Sequence, residues 1–315
     1  MKKQLLLLSI ALFFSVIANA QEKEKKFGIA FSGFVKTDIF YDTRQTVNIR
    51  EGHFLLYPDK EVLDANNKDL NAKPSFNMLS IQSRLKGAIT GPDAFGAKTS
   101  GVLEADFFGN ENASFGDING FRLRHAFVKL NWEKSELLVG QYFHPMFIVE
   151  AFPDVVSFNT GVPFQPFSRN PQIRYTYKIS DLKLIATALT QRDFTGMGPE
   201  YTLKNGVYEH ASVSTAKPLR NAGIPDLDFQ VQYNPDSTEH FFGAGIDYKS
   251  IVPELFTVNP SKNLRFASDT RLNSISGIVF AKMKFKPVTA KIEAVYAQNP
   301  RSEEHTSELQ SPNTI

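Results

Sequence analysis

Apolar and polar residues alternate with a period of two along most of the chain. In Ile29, Phe31, Gly33, Val35, Thr37, Ile39 and Tyr41 the odd positions are mainly apolar, with Ser32, Lys36 and Asp38 between them. The same phase returns in Leu79, Ile81, Ser83, Leu85, Gly87 and Ile89 against Ser80, Gln82, Arg84, Lys86 and Thr90. This period marks strands with one apolar and one polar face. Further strands are predicted over 97–107, 121–132, 137–144, 172–178, 182–192, 225–233, 241–248, 275–285 and 289–297, eleven in all. Within 225–233, Leu227, Phe229, Val231 and Tyr233 share one face, and Asp226, Asp228, Gln230 and Gln232 the other. The strand over 121–132 breaks phase, since Phe121 and Leu123 are apolar on odd positions but Ala126, Val128, Leu130 and Trp132 on even ones. A one-residue bulge near Arg124–His125 restores a single apolar face.

The connections alternate in length. Tight turns are expected at 91–96, 133–136, 179–181, 234–238 and 286–288, and long loops at 42–75, 108–120, 145–171, 193–224 and 249–273. Short turns on one side and long loops on the other, joined by strands of roughly nine to eleven residues, predict an all-β, up-and-down antiparallel transmembrane barrel with its short side periplasmic. A soluble sandwich also alternates, but it turns its apolar face inward. Phe40, Tyr41, Tyr233, Tyr248 and Phe285 stand near strand ends, where aromatic girdles of membrane barrels lie.

The N-terminus carries Lys2 and Lys3, an apolar run from Leu5 to Ile17, and Ala18-Asn19-Ala20. This reads as a secretory signal peptide over 1–20, cleaved between Ala20 and Gln21. No later run is long and apolar enough for a membrane helix. The absence of Cys excludes a disulfide framework and thiolate metal sites, and a net charge of +2 points to no nucleic-acid partner.

The stretch Arg122-Leu123-Arg124-His125-Ala126-Phe127-Val128, followed by Val139-Gly140-Gln141-Tyr142-Phe143-His144-Pro145, resembles porin strands of the DcaP type. The loop from Val156 to Arg174, with Phe158-Asn159-Thr160-Gly161-Val162-Pro163-Phe164-Gln165-Pro166-Phe167-Ser168-Arg169, is similar to that family as well. The resemblance spans about Gly28 to Asn299. It implies a trimeric barrel of about sixteen strands, whose third long loop, 145–171, folds into the lumen with Phe158, Asn159, Phe164, Phe167 and Arg169 at the constriction. That loop is long, rich in Phe and Pro and poor in charge, which also suits a segment packed on an inner wall. Only eleven strands are read, so residues 21–300 are expected to form part of a barrel. Residues 301–315 resemble a translated sequencing adapter and are set apart from the fold. An unclosed barrel leaves strand edges that lipid cannot satisfy.

No catalytic constellation emerges, and no cofactor is expected. The six histidines, His53, His125, His144, His210, His240 and His305, are scattered. Asp226 and Asp228, with no His or further carboxylate near them in the sequence, read as wetted wall. On the inferred lumen face the basic residues are Lys36, Arg84, Lys86, Arg122, Arg124, Arg174 and Lys178, and the acidic ones Glu104, Asp106, Asp226 and Asp228. The expected function is passive diffusion of small hydrophilic solutes across the outer membrane. A basic lining would favour anions such as carboxylates, unless the charges pair with each other. The alternative is a surface-exposed binding or adhesion barrel without a conducting pore.

Overall fold

The computed structural model describes residues 27–49, 54–108, 120–153, 168–192, 195–235, 239–259 and 261–298. Alternation becomes strand at the expected places, except that the run over 79–89 is broken at 80–83 and joins the main sheet only from Arg84. One antiparallel sheet contains β1 (Gly28–Phe34), β2 (Arg84–Thr90), β3 (Lys98–Asp106), β4 (Arg122–Asn131), β5 (Ser135–Phe143), β6 (Arg169–Ile179), β7 (Leu182–Leu189), β8 (Asp226–Tyr233), β9 (Phe241–Ile251), β10 (Leu272–Phe285) and β11 (Val288–Ala297). Every strand pairs with its neighbours in that order, a pure meander. The connections at one end are short, such as 180–181 and 286–287, and those at the other long, such as 35–83 and 190–225. Among the described residues β1 and β11 each pair with one neighbour only.

The faces are inverted relative to a water-soluble sheet. In β8, Asp226, Asp228 and Gln230 are buried while Leu227, Phe229 and Tyr233 are exposed. In β9 and β10, Asp247, Lys249, Ser274 and Ser276 are buried while Ile246, Ile275 and Val279 are exposed. Exposed apolar surface costs about 25 cal/mol per Å² against water and nothing comparable against lipid tails, so this exterior suits a bilayer. The expected fold class, the wall of an up-and-down transmembrane β-barrel, is the one observed.

The sheet is rolled. On a flat sheet β5 and β9 would lie about 19 Å apart, four strand spacings. Yet His144, just after β5, brings a ring nitrogen within 4.8 Å of carboxylate oxygens of Asp226 on β8 and Asp247 on β9.

Two irregularities shape the wall. Glu104 pairs with His125 and Ala105 with Leu123, so Arg124 is the extra residue of a bulge in β4, where the phase break predicts one. At Gly140 the backbone has φ +134°, and a Cβ there would fall on the carbonyl oxygen of Ala126 and 2.6 Å from Phe127 Cα. Only glycine lets β5 approach β4 this closely.

The first predicted strand is a single run over 29–41, but the structure divides it. The ladder of β1 stops at Phe34 and resumes as a ribbon of Asp38–Asp42 with Ser75–Leu79. The cause is local: the Lys36 N–H donates to Ser83 Oγ at 3.1 Å instead of to the ladder. The register moves by one residue, from Phe34 opposite Arg84 to Asp38 opposite Leu79. Other long loops carry ribbons too, Met197–Lys204 with Val207–Ser214 and Phe256–Asn259 with Leu264–Ala267, and a short helix, α1 (Lys217–Asn221).

Candidate functional site

The polar face is the candidate site, and the segment 144–153 lies on it. Met146, Ile148 and Ala151 bury themselves in one cluster with Phe241, Ile278 and Phe280 of β9 and β10, on the same face as Asp247 and Ser276. The Phe280 ring has room because its cross-strand partner is Gly243, whose Cβ would overlap the ring. Gln230 Nε2 of β8 donates to the Pro145 carbonyl at 2.7 Å. Lys291 Nζ of β11 donates to the Phe152 carbonyl at 3.1 Å. The start of the third long loop therefore crosses the interior from β5 to the far strands. Of the five expected constriction residues, Phe158, Asn159, Phe164 and Phe167 lie outside the described residues, as do Ala20 and Gln21 at the expected cleavage site. Arg169 is described, fully buried at the start of β6.

The expected lining charges within strands sit on the polar face, while Lys36 lies in the break after β1. Arg84 is opposite Asp106, Lys86 opposite Glu104 and Asp106 opposite Arg122. Their electrostatics differ from a simple basic wall, because the arginines of β2 and β4 are engaged by the carboxylates of β3. Arg124 Nε meets Glu104 Oε1 at 2.8 Å and its Nη1 meets Asp106 Oδ2 at 2.9 Å. Arg122 Nε meets Asp106 Oδ1 at 2.8 Å, and Arg84 Nε stands 3.6 Å from Glu104 Oε1. Arg122 and Arg124, two residues apart, share a face in any strand, and the bulge adds His125 to that face opposite Glu104. Arg124 is only 4 % exposed and Asp106 1 %, so the pairs are desolvated, and the two carboxylates offset two of the three arginine charges. Lys36 is paired with Asp38 at 2.9 Å and also donates to Gln82.

Asp226 and Asp228 are not an isolated wetted pair, which corrects the expectation from sequence. Rolling of the sheet brings His144 to them, and β9 sets Asp247 directly opposite Asp228. Lys249 Nζ lies 3.5 Å from Asp226 Oδ2. The trio His144, Asp226 and Asp247 is compact enough for a cation, but His144 Nδ1 accepts the Met146 N–H at 3.2 Å. That bond puts the proton of the neutral ring on Nε2, so neither nitrogen offers a lone pair to an ion in this tautomer.

Nearer the short-turn end, Arg174 and Lys178 of β6 share the polar face with Lys183 of β7, which stands directly opposite Lys178. Lys183 was missed in the sequence, as were Asp247 and Lys249. The signal lay in register for two of them, Lys183 opposite Lys178 and Asp247 opposite Asp228, and Lys249 follows as the residue two beyond Asp247 on the same face.

No protein-family model and no curated protein matches the chain. Among solved structures it is similar to a loop L8 deletion mutant of OmpT, an outer membrane protein of Vibrio cholerae, at 9% identity and a TM-score of 0.40, over 87% of this chain and 83% of that one. Outer-membrane expressed OmpT of the same organism aligns at 10% identity and a TM-score of 0.34, over 90% and 93%. The description of the fold rests on the strands themselves.

Proposed function

We propose that the chain is part of an outer-membrane porin of the DcaP type, exported by its N-terminal signal peptide and, in the complete protein, embedded in outer-membrane lipid as a homotrimer. Small hydrophilic solutes, carboxylates among them, diffuse through its lumen. The observation that carries this reading is the packing of residues 145–153 on the polar face. A loop that narrows a pore must fold inward, and a loop that presents a binding surface has no reason to.

The second reading, a surface-exposed binding barrel, is favoured by the outer ribbons. Asn263 Oδ1 accepts the Tyr208 N–H at 3.0 Å, and Arg265 lies 5.6 Å over the Tyr208 ring, so two long loops clasp each other. Planar-bilayer recording from the complete protein purified out of the outer membrane separates the two. Stepwise ohmic conductance is expected; folded protein that inserts without conducting would leave the binding barrel standing.

A further inference from the structure

Arg84, Arg122 and Arg124 are engaged by Glu104 and Asp106, three cations on two carboxylates, with Lys86 beside them and in no ion pair among the described residues. The cations on β6 and β7 are not engaged this way. Lys178 and Lys183 are direct cross-strand partners, and among the described residues neither meets a carboxylate within ion-pair distance. Like charges placed opposite each other destabilise a ladder unless an anion or water screens them.

Arg174 stands four residues along the same face, about 13 Å from Lys178 along the strand. Its Nη2 donates to the Phe143 carbonyl at 2.9 Å and its guanidinium lies 5.2 Å over the Tyr142 ring. Those contacts fix its position without neutralising it. All three cations line one cavity of about 280 Å³ between the wall and the inserted segment, which adds Glu150. The other cation there, Lys129, is held by Glu136 at 2.9 Å.

We propose that Lys178, Lys183 and Arg174 set the charge preference of the pore, with the lysine pair gathering small anions at the short-turn end and Arg174 receiving them under the inserted segment. The arginine cluster of β2 and β4 then serves the wall's cohesion. This inference rests on the porin reading and assigns selectivity within it. In a low-dielectric, water-filled constriction, unpaired fixed charges concentrate counter-ions, whereas ion pairs present little net field.

The test uses protein purified from the outer membrane of cells expressing the gene, recorded in planar bilayers under a potassium chloride gradient, with chloride as the probe anion. Lys178→Glu with Lys183→Glu is expected to lower the chloride-to-potassium permeability ratio by about threefold or more. The corresponding Gln pair gives a smaller fall in the same direction and guards against misfolding of the reversal variant. Arg122→Gln is expected to move the ratio less than either. Open channels with an unchanged ratio in both lysine variants, or a larger shift from Arg122→Gln, would overturn the assignment while leaving the porin intact. A wild-type protein that never conducts removes the porin reading, and this inference with it.

Discussion

The ammonium of Lys291 on β11 donates to the main-chain oxygen of Phe152 at 3.1 Å, although 139 residues separate the two. Together with the bond from Gln230 to Pro145, it ties both ends of the described inward segment to strands far from β5. The apolar side of the same segment is held by Met146, fully buried against Phe241, Ile278 and Phe280.

Truncating Met146 to Ala therefore removes packing from a filled site. A loss of about 2–5 kcal/mol is expected for a large-to-small change of this kind, read as a lower denaturant midpoint for the folded band on gels. If the segment also narrows a conducting lumen, single-channel conductance rises in the same variant. An unchanged midpoint would show that the segment does not depend on this cluster.

Arg124 bridges Glu104 and Asp106 while almost wholly desolvated. Arg124→Met leaves two buried carboxylates short of a partner and is expected to cost about 3–5 kcal/mol. Adding Asp106→Asn should restore part of that loss, because it removes a charge that Arg124 no longer balances. The measurement is a double-mutant cycle on unfolding midpoints; strict additivity of the two changes would mean that the pair is not coupled.

Gly140→Ala places a methyl group on the Ala126 carbonyl at a φ that L-residues rarely adopt. The expected result is a loss of more than about 2 kcal/mol or failure to assemble, followed by heat-modifiable mobility of the folded protein. Gly96, also at positive φ, has open space around it, so Gly96→Asn should be well tolerated.

Much of this architecture could be read from the alternation of residues such as Leu227, Phe229 and Tyr233 with Asp226, Asp228 and Gln230, because a strand's period of two leaves little freedom about which face each residue joins. The bulge at Arg124 was legible for the same reason, as a change of phase. The break after Phe34 was not, since it depends on Ser83 capturing the Lys36 N–H across 47 positions. The ribbon of 197–204 with 207–214 did carry a signal that the reading passed over: Asn205–Gly206, at φ 50° and 80°, is a two-residue hairpin turn pair. The charge pairing was hidden because alternation assigns a face but not a partner. Arg122 and Lys178 look alike in the sequence, and only cross-strand register shows that one meets Asp106 and the other meets Lys183.

Outside the membrane strands, Asp69 organises the first long loop. Its carboxylate accepts the Val62 N–H at 3.1 Å and the Asn71 N–H at 2.9 Å, and pairs with Arg44 at 3.0 Å. The Val62 hydrogen bond is the largest influence and, with the Asn71 hydrogen bond and Arg44, holds its pKa below the ordinary carboxylate value against desolvation, which ranks second and opposes them. A depressed folded pKa contributes order that is fully present above the unfolded pKa, near about 3.9, and that is lost as pH falls through the lower folded value. Hydrogen exchange at Val62 and Asn71 should therefore stay slow at neutral pH and quicken only in strong acid. Asp69→Asn should quicken it at all pH values; exchange that is already fast in the wild type at neutral pH would contradict this account.

The sharpest test of the inverted faces uses Ile246, exposed in the middle of β9 opposite Phe229 of β8. If that face met water, Ile246→Arg would be neutral or mildly favourable, since it replaces exposed apolar surface with a solvated charge. Against lipid near the bilayer midplane the same change should cost about 2–4 kcal/mol. Asp247 is the next residue and points the other way, so Asp247→Asn serves as the contrast: it alters the buried polar network but leaves the lipid face untouched. Comparing both variants folded into vesicles gives an outcome that the two environments cannot share. A stability loss for Ile246→Arg that shrinks when the same substitution is moved to Ile275, nearer the long-loop end of β10, would follow the depth dependence of a bilayer. Equal tolerance at both positions would mean that the apolar exterior does not lie in lipid.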